Sequence, residues 1–201
     1  MRKITFALIS FVTISFVNAQ ELTDTVINTA TIEVQEGDET WPRHSLSVGV
    51  GPAWITSKVM TLNGEHTWQS GLEFSVEYGC GFRKGLGFGL SFMYNRTSYP
   101  SDLTMKQTYI GPTFIYEHIF GDKWKFRGDV SLGYSHYSDT VIKDDGLGAK
   151  IAVSMEYMLS KNVSVGLRFM EGSVFFGDDD PYYDTRGIDR LGIMAGVTFN
   201  L

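Results

Sequence analysis

The chain has one cysteine, Cys80, among 201 residues, so no intramolecular disulfide can staple the fold. Positive charge is also short: 17 Lys and Arg stand against 23 Asp and Glu, a net charge of −6, which argues against nucleic-acid binding. Beyond the amino terminus no apolar run approaches the roughly 20 residues a membrane-spanning helix needs. Amphipathic helices that could cover an apolar sheet face are missing too. These absences exclude a disulfide scaffold, a nucleic-acid binder and a helical membrane protein.

What the chain does have begins with a leader. Arg2 and Lys3 precede an apolar run from Ile4 to Val17, and Val17-Asn18-Ala19 supplies a small residue at a cut site. This pattern reads as a secretory signal peptide over residues 1–19, cleaved after Ala19. The run is too short to span a bilayer as a helix. Residues 20–43 are polar and acidic without a period, and are expected to form a flexible periplasmic segment.

From residue 44 onward a two-residue beat recurs eight times. Its clearest stretch is Leu72, Phe74, Val76, Tyr78, Cys80 and Phe82, interleaved with Glu73, Ser75, Glu77, Gly79 and Gly81. Side chains alternate between the faces of a strand, so one face is apolar and the other carries carboxylates and glycine. Strands are expected at 44–54, 70–82, 86–96, 106–119, 124–137, 146–159, 163–173 and 188–201. Each is long enough to cross a bilayer when tilted. Short links at Arg83-Lys84-Gly85, Phe120-Gly121-Asp122-Lys123 and Ser160-Lys161-Asn162 alternate with long polar ones near 55–69, 97–105, 138–145 and 174–187. An open sheet in lipid would leave backbone groups unpaired, so the strands must close. The expected fold is all-β: an eight-stranded antiparallel up-and-down transmembrane β-barrel over 44–201. Both termini would be periplasmic, with the long links outside.

The final residues Gly196-Val197-Thr198-Phe199-Asn200-Leu201 resemble the β-signal by which outer-membrane proteins engage the barrel-assembly machinery, with Gly196, Phe199 and Leu201 at its key positions. With length and strand count, residues 44–201 are similar to the small OmpA/OmpX-type barrels, the outer membrane protein beta-barrel domain family. The resemblance implies a bacterial outer membrane, with lipid, lipopolysaccharide and the assembly machinery as partners. A monomer and a ligand at the extracellular loops are further expectations.

An eight-stranded barrel is just wide enough for its own side chains. Glycines on the inward phase, among them Gly79, Gly111, Gly148 and Gly192, make room for larger neighbours. A Gly-x-Gly nucleotide loop needs a strand-to-helix junction, which is absent, and no cofactor is expected. The neighbours are charged: Glu73, Glu77, Glu117, Arg127, Asp129, Lys150, Glu156, Arg168 and Arg190 fall on the inward phase. They are expected to form a structural ion network, with Arg127 facing Glu156 across adjacent strands; the alternative is an ion pathway or small pore.

Two clusters carry possible chemistry. His136-Tyr137-Ser138 puts His136 and Ser138 on the lipid-facing phase at the outer end of a strand. It resembles the His-x-Ser element of lipid A 3-O-deacylases, also eight-stranded barrels, which implies His136 as base and Ser138 as nucleophile. The orienting acid is open: Lys150 lies near its expected place, and Asp139, Asp144 or Asp145 are substitutes. The bland alternative is a polar rim. The acidic loop with Asp178, Asp179, Asp180 and Asp184 offers hard oxygen ligands to calcium, or is simply solvated. A non-enzymatic structural or surface-binding role is the leading expectation.

Overall fold

The computed structural model describes residues 44–61, 64–66, 68–83, 85–99, 104–139, 143–176 and 187–201. The signal peptide expected at 1–19, the periplasmic segment expected at 20–43 and the acidic residues 178–180 and 184 lie outside that set. Among the described residues every regular element is a strand: β1 (His44–Ile55), β2 (Val59–Thr61), β3 (Gly64–His66), β4 (Gln69–Arg83), β5 (Leu86–Ser98), β6 (Thr104–Phe120), β7 (Trp124–Ser138), β8 (Lys143–Met158), β9 (Val163–Phe176) and β10 (Gly187–Asn200). β4 through β10 pair in chain order, and β1 bridges β10 and β4, so eight antiparallel strands form a closed barrel. β2 and β3 make a separate two-stranded ribbon in the first long link, which the alternation pattern did not reveal.

The tight turns and the outer ends of β1 and β10 share one end of the barrel, the turn end; the long links share the other, the loop end. Gly85 shows why a turn needs its residue. Its φ of +78° favours glycine, its carbonyl accepts the Glu117 amide at 2.7 Å, and a Cβ there would lie 2.0 Å from the Glu117 carbonyl oxygen.

The alternation sorts side chains as the pattern requires. Leu72, Phe88, Leu132, Leu147, Leu167 and Leu191 are exposed on the outer wall, and Cys80 is exposed with them. Such an apolar surface cannot face water over so wide an area. Aromatics border the band: Tyr78, Tyr116, Trp124 and Tyr157 toward the turn end, Trp54, Tyr94 and Tyr134 toward the loop end. From Trp124 to Tyr134 the strand rises about 33 Å at about 3.3 Å per residue. A tilt of about 40° reduces that to about 25 Å along the membrane normal, the height of a barrel's apolar band. Ile115, out of phase with its apolar neighbours, is buried inside the barrel.

The strands run further than the sequence suggested. β5 continues to Ser98, β9 to Phe176, and β8 starts at Lys143 rather than at 146. Asp144 and Asp145, poor strand formers by propensity, are held in the β7–β8 ladder opposite Tyr137 and His136.

Candidate functional site

The lumen is filled in layers. At the turn end Lys125 Nζ lies 2.9 Å from Glu156 and 3.7 Å from Glu117. Glu156 also accepts from the Ser164 hydroxyl at 2.5 Å. Above this, Arg127 donates to Glu117 at 2.8 Å, to Ser45 at 3.3 Å, and to Glu77 across the lumen. Lys150 reaches Glu77 at 2.9 Å, Asp129 at 2.8 Å and the Ser91 hydroxyl at 2.7 Å. Arg168 joins Asp129 at 2.9 Å and Glu77 at 3.1 Å. Glu77 is thus the hub, fully buried and shared by three cations. A carboxylate in that position is tolerable only because its partners are in place.

The pairing differs in one respect from the sequence expectation. Arg127 lies opposite Ser154, while Glu156 lies opposite Lys125. Counting both strands from their turn ends put Trp124 beside Leu159. The ladder puts Trp124 beside Tyr157 instead, because strands in a barrel are staggered. The two-residue slip keeps the inward phase but changes the partner. Lys125, absent from the expected set, is buried and belongs to the network; with it, five acids face five bases.

A sulfur-rich layer lies above the central charges: Met93, Met170 and Met194 pack with Ala152 and Tyr109. Gly148 makes room for Tyr109, since a Cβ there would come within 2.7 Å of its ring. Tyr109 and Ser131 hydroxyls are 2.5 Å apart. Higher still, Arg190 donates to Gln107 at 2.7 Å, lies 3.3 Å from Glu73, and touches the Met93 sulfur at 3.0 Å. Finally Ile55, Tyr99, Met105, Tyr137 and Ile188, with Phe176 against them, form an apolar cap across the loop end of the lumen. Burial there raises the Tyr99 phenol above its ordinary range. A water-sized void of about 30 Å³ lies beside Ser47, Ser75, Ser154, Glu156, Arg168 and Thr198.

The outer wall holds the second site. His136 Nδ1 is 2.6 Å from Asp145 Oδ1, directly across the β7–β8 pair, and the Tyr134 hydroxyl donates to the same carboxylate. A carboxylate only accepts, so Nδ1 carries a proton, and the neutral form of this imidazole has its lone pair on Nε2. Ser138 is two residues on, on the same face of β7. Asp145 therefore occupies the position of an orienting acid. Lys150 does not: it pairs with Ser131 in the ladder and points into the lumen. Asp139 is engaged instead by the Tyr137 hydroxyl at 2.7 Å.

At the closing seam Gly196 faces Gly49, Phe199 projects outward, and the Leu201 amide donates to the His44 carbonyl at 2.9 Å. Near the loop end Trp68 is exposed with a φ of 58°, a left-handed conformation uncommon for a bulky residue.

The profile of the outer membrane protein beta-barrel domain matches residues 9–199. The chain belongs to that family. Its location is accordingly the bacterial outer membrane. No curated protein sequence matches the chain. Among solved structures, Neisserial surface protein A is similar at 13% identity and a TM-score of 0.60, covering 79% of this chain and 97% of that one. The attachment invasion locus protein Ail of Yersinia pestis is 13% identical, with a TM-score of 0.45 over 78% of this chain and 98% of its own. The outer membrane enzyme PagL is 14% identical, with a TM-score of 0.45 over 76% and 97%. At 13% identity the likeness to Neisserial surface protein A is one of fold, not of activity.

Proposed function

We propose that this outer-membrane barrel works at its outer wall and loop end, as a non-enzymatic structural or surface-binding protein, and not through its lumen. The observation that supports this is the stacked closure of the interior: ion pairs around Glu77, the methionine layer, Arg190 with Glu73, then the apolar cap. Five acids matched by five bases act as a rigid internal frame for a barrel too narrow to hold an ordinary core. The loop end faces the outside and both ends of the barrel chain face the periplasm. Gly196, Phe199 and Leu201 serve recognition by the assembly machinery. Trp68 is a contact residue for a surface ligand.

A second reading is favoured by one observation, the Asp145–His136 contact beside Ser138. In it, Nε2 of His136 takes the Ser138 proton as the hydroxyl attacks an ester carbonyl of an acylated lipid, and Asp145 steadies the resulting imidazolium. The imidazolium returns that proton to the lipid's alkoxide as the ester C–O bond breaks, and water, deprotonated by His136, then hydrolyses the acyl-serine to release the fatty acid. Mass spectrometry of lipid A separates the two. Cells expressing the intact protein and cells expressing Ser138→Ala yield identical lipid A under the first reading. Loss of one acyl chain only with the intact protein would replace it with the second.

A further inference from the structure

Four outward positions on consecutive strands stand in one row. Arg96 on β5 pairs with Lys106 on β6, Lys106 with Ser138 on β7, and Ser138 with Lys143 on β8. Arg96, Lys106 and Lys143 are exposed, and none has an ion-pair partner among the described residues. The row begins two residues beyond Tyr94 at Arg96 and passes four residues beyond Tyr134 at Ser138, on the loop-end side of the aromatic belt, where headgroups lie.

This arrangement is costly unless something completes it. Arg96 and Lys106 are directly opposed, and like charges so placed destabilise a strand pair. The outward carboxylate of Asp145, two residues along β8 from Lys143, is engaged by His136 and Tyr134. Among the described strand residues of β9 and β10 the outward charges near this level are acidic, Glu171 and Asp189. Among the described strand residues, cations at this level are therefore gathered on the β5–β8 wall. Three strand spacings of about 4.8 Å spread the row over about 14 Å along the wall. An anion with oxygens pointing several ways suits this row better than a single carboxylate. Arg96 offers a planar fork, the lysines point charges and Ser138 a hydroxyl donor, all suited to phosphate oxygens.

We propose that the row binds the phosphate groups of an anionic lipid in the leaflet that surrounds the loop end. The proposal rests on the reading above that the loop end faces outward. The lipid's acyl chains lie along the apolar wall below, over Ile110, Phe92 and Leu132, while its phosphates bridge Arg96, Lys106 and Lys143. The bound phosphate removes the repulsion between Arg96 and Lys106.

The full-length mature barrel, folded in neutral detergent, is tested by native mass spectrometry with diphosphoryl lipid A and with its dephosphorylated form. The intact barrel retains the diphosphoryl lipid. Arg96→Gln/Lys106→Gln/Lys143→Gln, and to a lesser degree Lys106→Gln alone, bind it more weakly, the triple variant by about tenfold or more. Glu171→Gln/Asp189→Asn and Lys161→Gln bind as the intact protein does. Retarded gel migration before heating verifies that each variant is folded. Equal binding by the intact and triple variants, or equal binding of the dephosphorylated lipid, would overturn the proposal. The orientation is read separately. In a Cys80→Ser background, an impermeant maleimide added to intact cells labels Lys58→Cys and spares Lys161→Cys. The reverse pattern would overturn the assignment to the outer leaflet and, with it, the orientation; lipid binding lost with labelling as expected would overturn the row alone.

Discussion

The centre of the lumen and its loop-end mouth are built by the same strands on the same inward phase, yet opposite chemistry closes them. At the centre Glu77 gathers Arg127, Lys150 and Arg168, and Asp129 gathers two of the same cations. At the mouth Ile55, Met105, Tyr137 and Ile188 pack as an apolar layer that holds no buried ion pair among the described residues. The centre is too narrow for bulk water, so its charges must neutralise one another. The mouth borders the aqueous end, and an apolar layer there shields the network from competing water and salt. The inside of a small barrel is thus not uniformly polar: charge supplies specificity where solvent is absent, and apolar packing supplies the seal where solvent begins.

Breaking the centre should have the larger effect. Arg127→Met leaves Glu77 and Glu117 short of a cation in a dry interior, and is expected to destabilise the barrel by about 3–5 kcal/mol. Thermal unfolding in detergent, followed by the shift from the compact to the extended gel band, measures it. Truncating the cap by Ile188→Ala should lower the same midpoint by less, about 2–3 kcal/mol, the low end for an apolar deletion because a mouth relaxes more easily than a sealed interior. If Ile188→Ala proves costlier than Arg127→Met, the ranking of the two regions is wrong. Lys125→Met sharpens the comparison within the network. Its partners Glu117 and Glu156 sit at the turn end, where their side chains keep 11% and 7% exposure, so water partly replaces the lost cation. The expected loss is about 1–2 kcal/mol, below that of Arg127→Met. Smallest of all, Asp145→Asn should leave the unfolding midpoint where it is, because that carboxylate is solvent-exposed. A clear drop would show that the outer rim shares the load of the centre.

Much of this was readable before the fold. Alternation identifies the lipid-facing wall, as with Leu72 to Phe82, and assigns the inward phase to Glu77, Asp129 and Arg168. It carries no information on stagger. Period two puts Arg127 and Glu156 on the same face, but only closure of the barrel decides that Lys125, not Arg127, lies opposite Glu156. The cap escaped notice for a related reason. Ile55 and Met105 sit one residue beyond the ends of the expected strands 44–54 and 106–119, and Ile188 is the first residue of the expected strand 188–201, where an inward apolar residue breaks no visible pattern. Asp145 looked like loop because aspartate disfavours strands, yet the β7–β8 ladder continues past the apolar band and carries it to His136. The row formed by Arg96, Lys106 and Lys143 depends on three registers at once, which a single sequence does not reveal.

Electrical recording from single barrels in a planar bilayer tests the central claim, that the lumen is closed, most directly. The intact protein is expected to insert without conductance steps, and Ile188→Ala to remain silent because the charged layers beneath the cap still fill the interior. Steady, reproducible steps from the intact barrel would contradict the account and turn the inward charges into the lining of a pore.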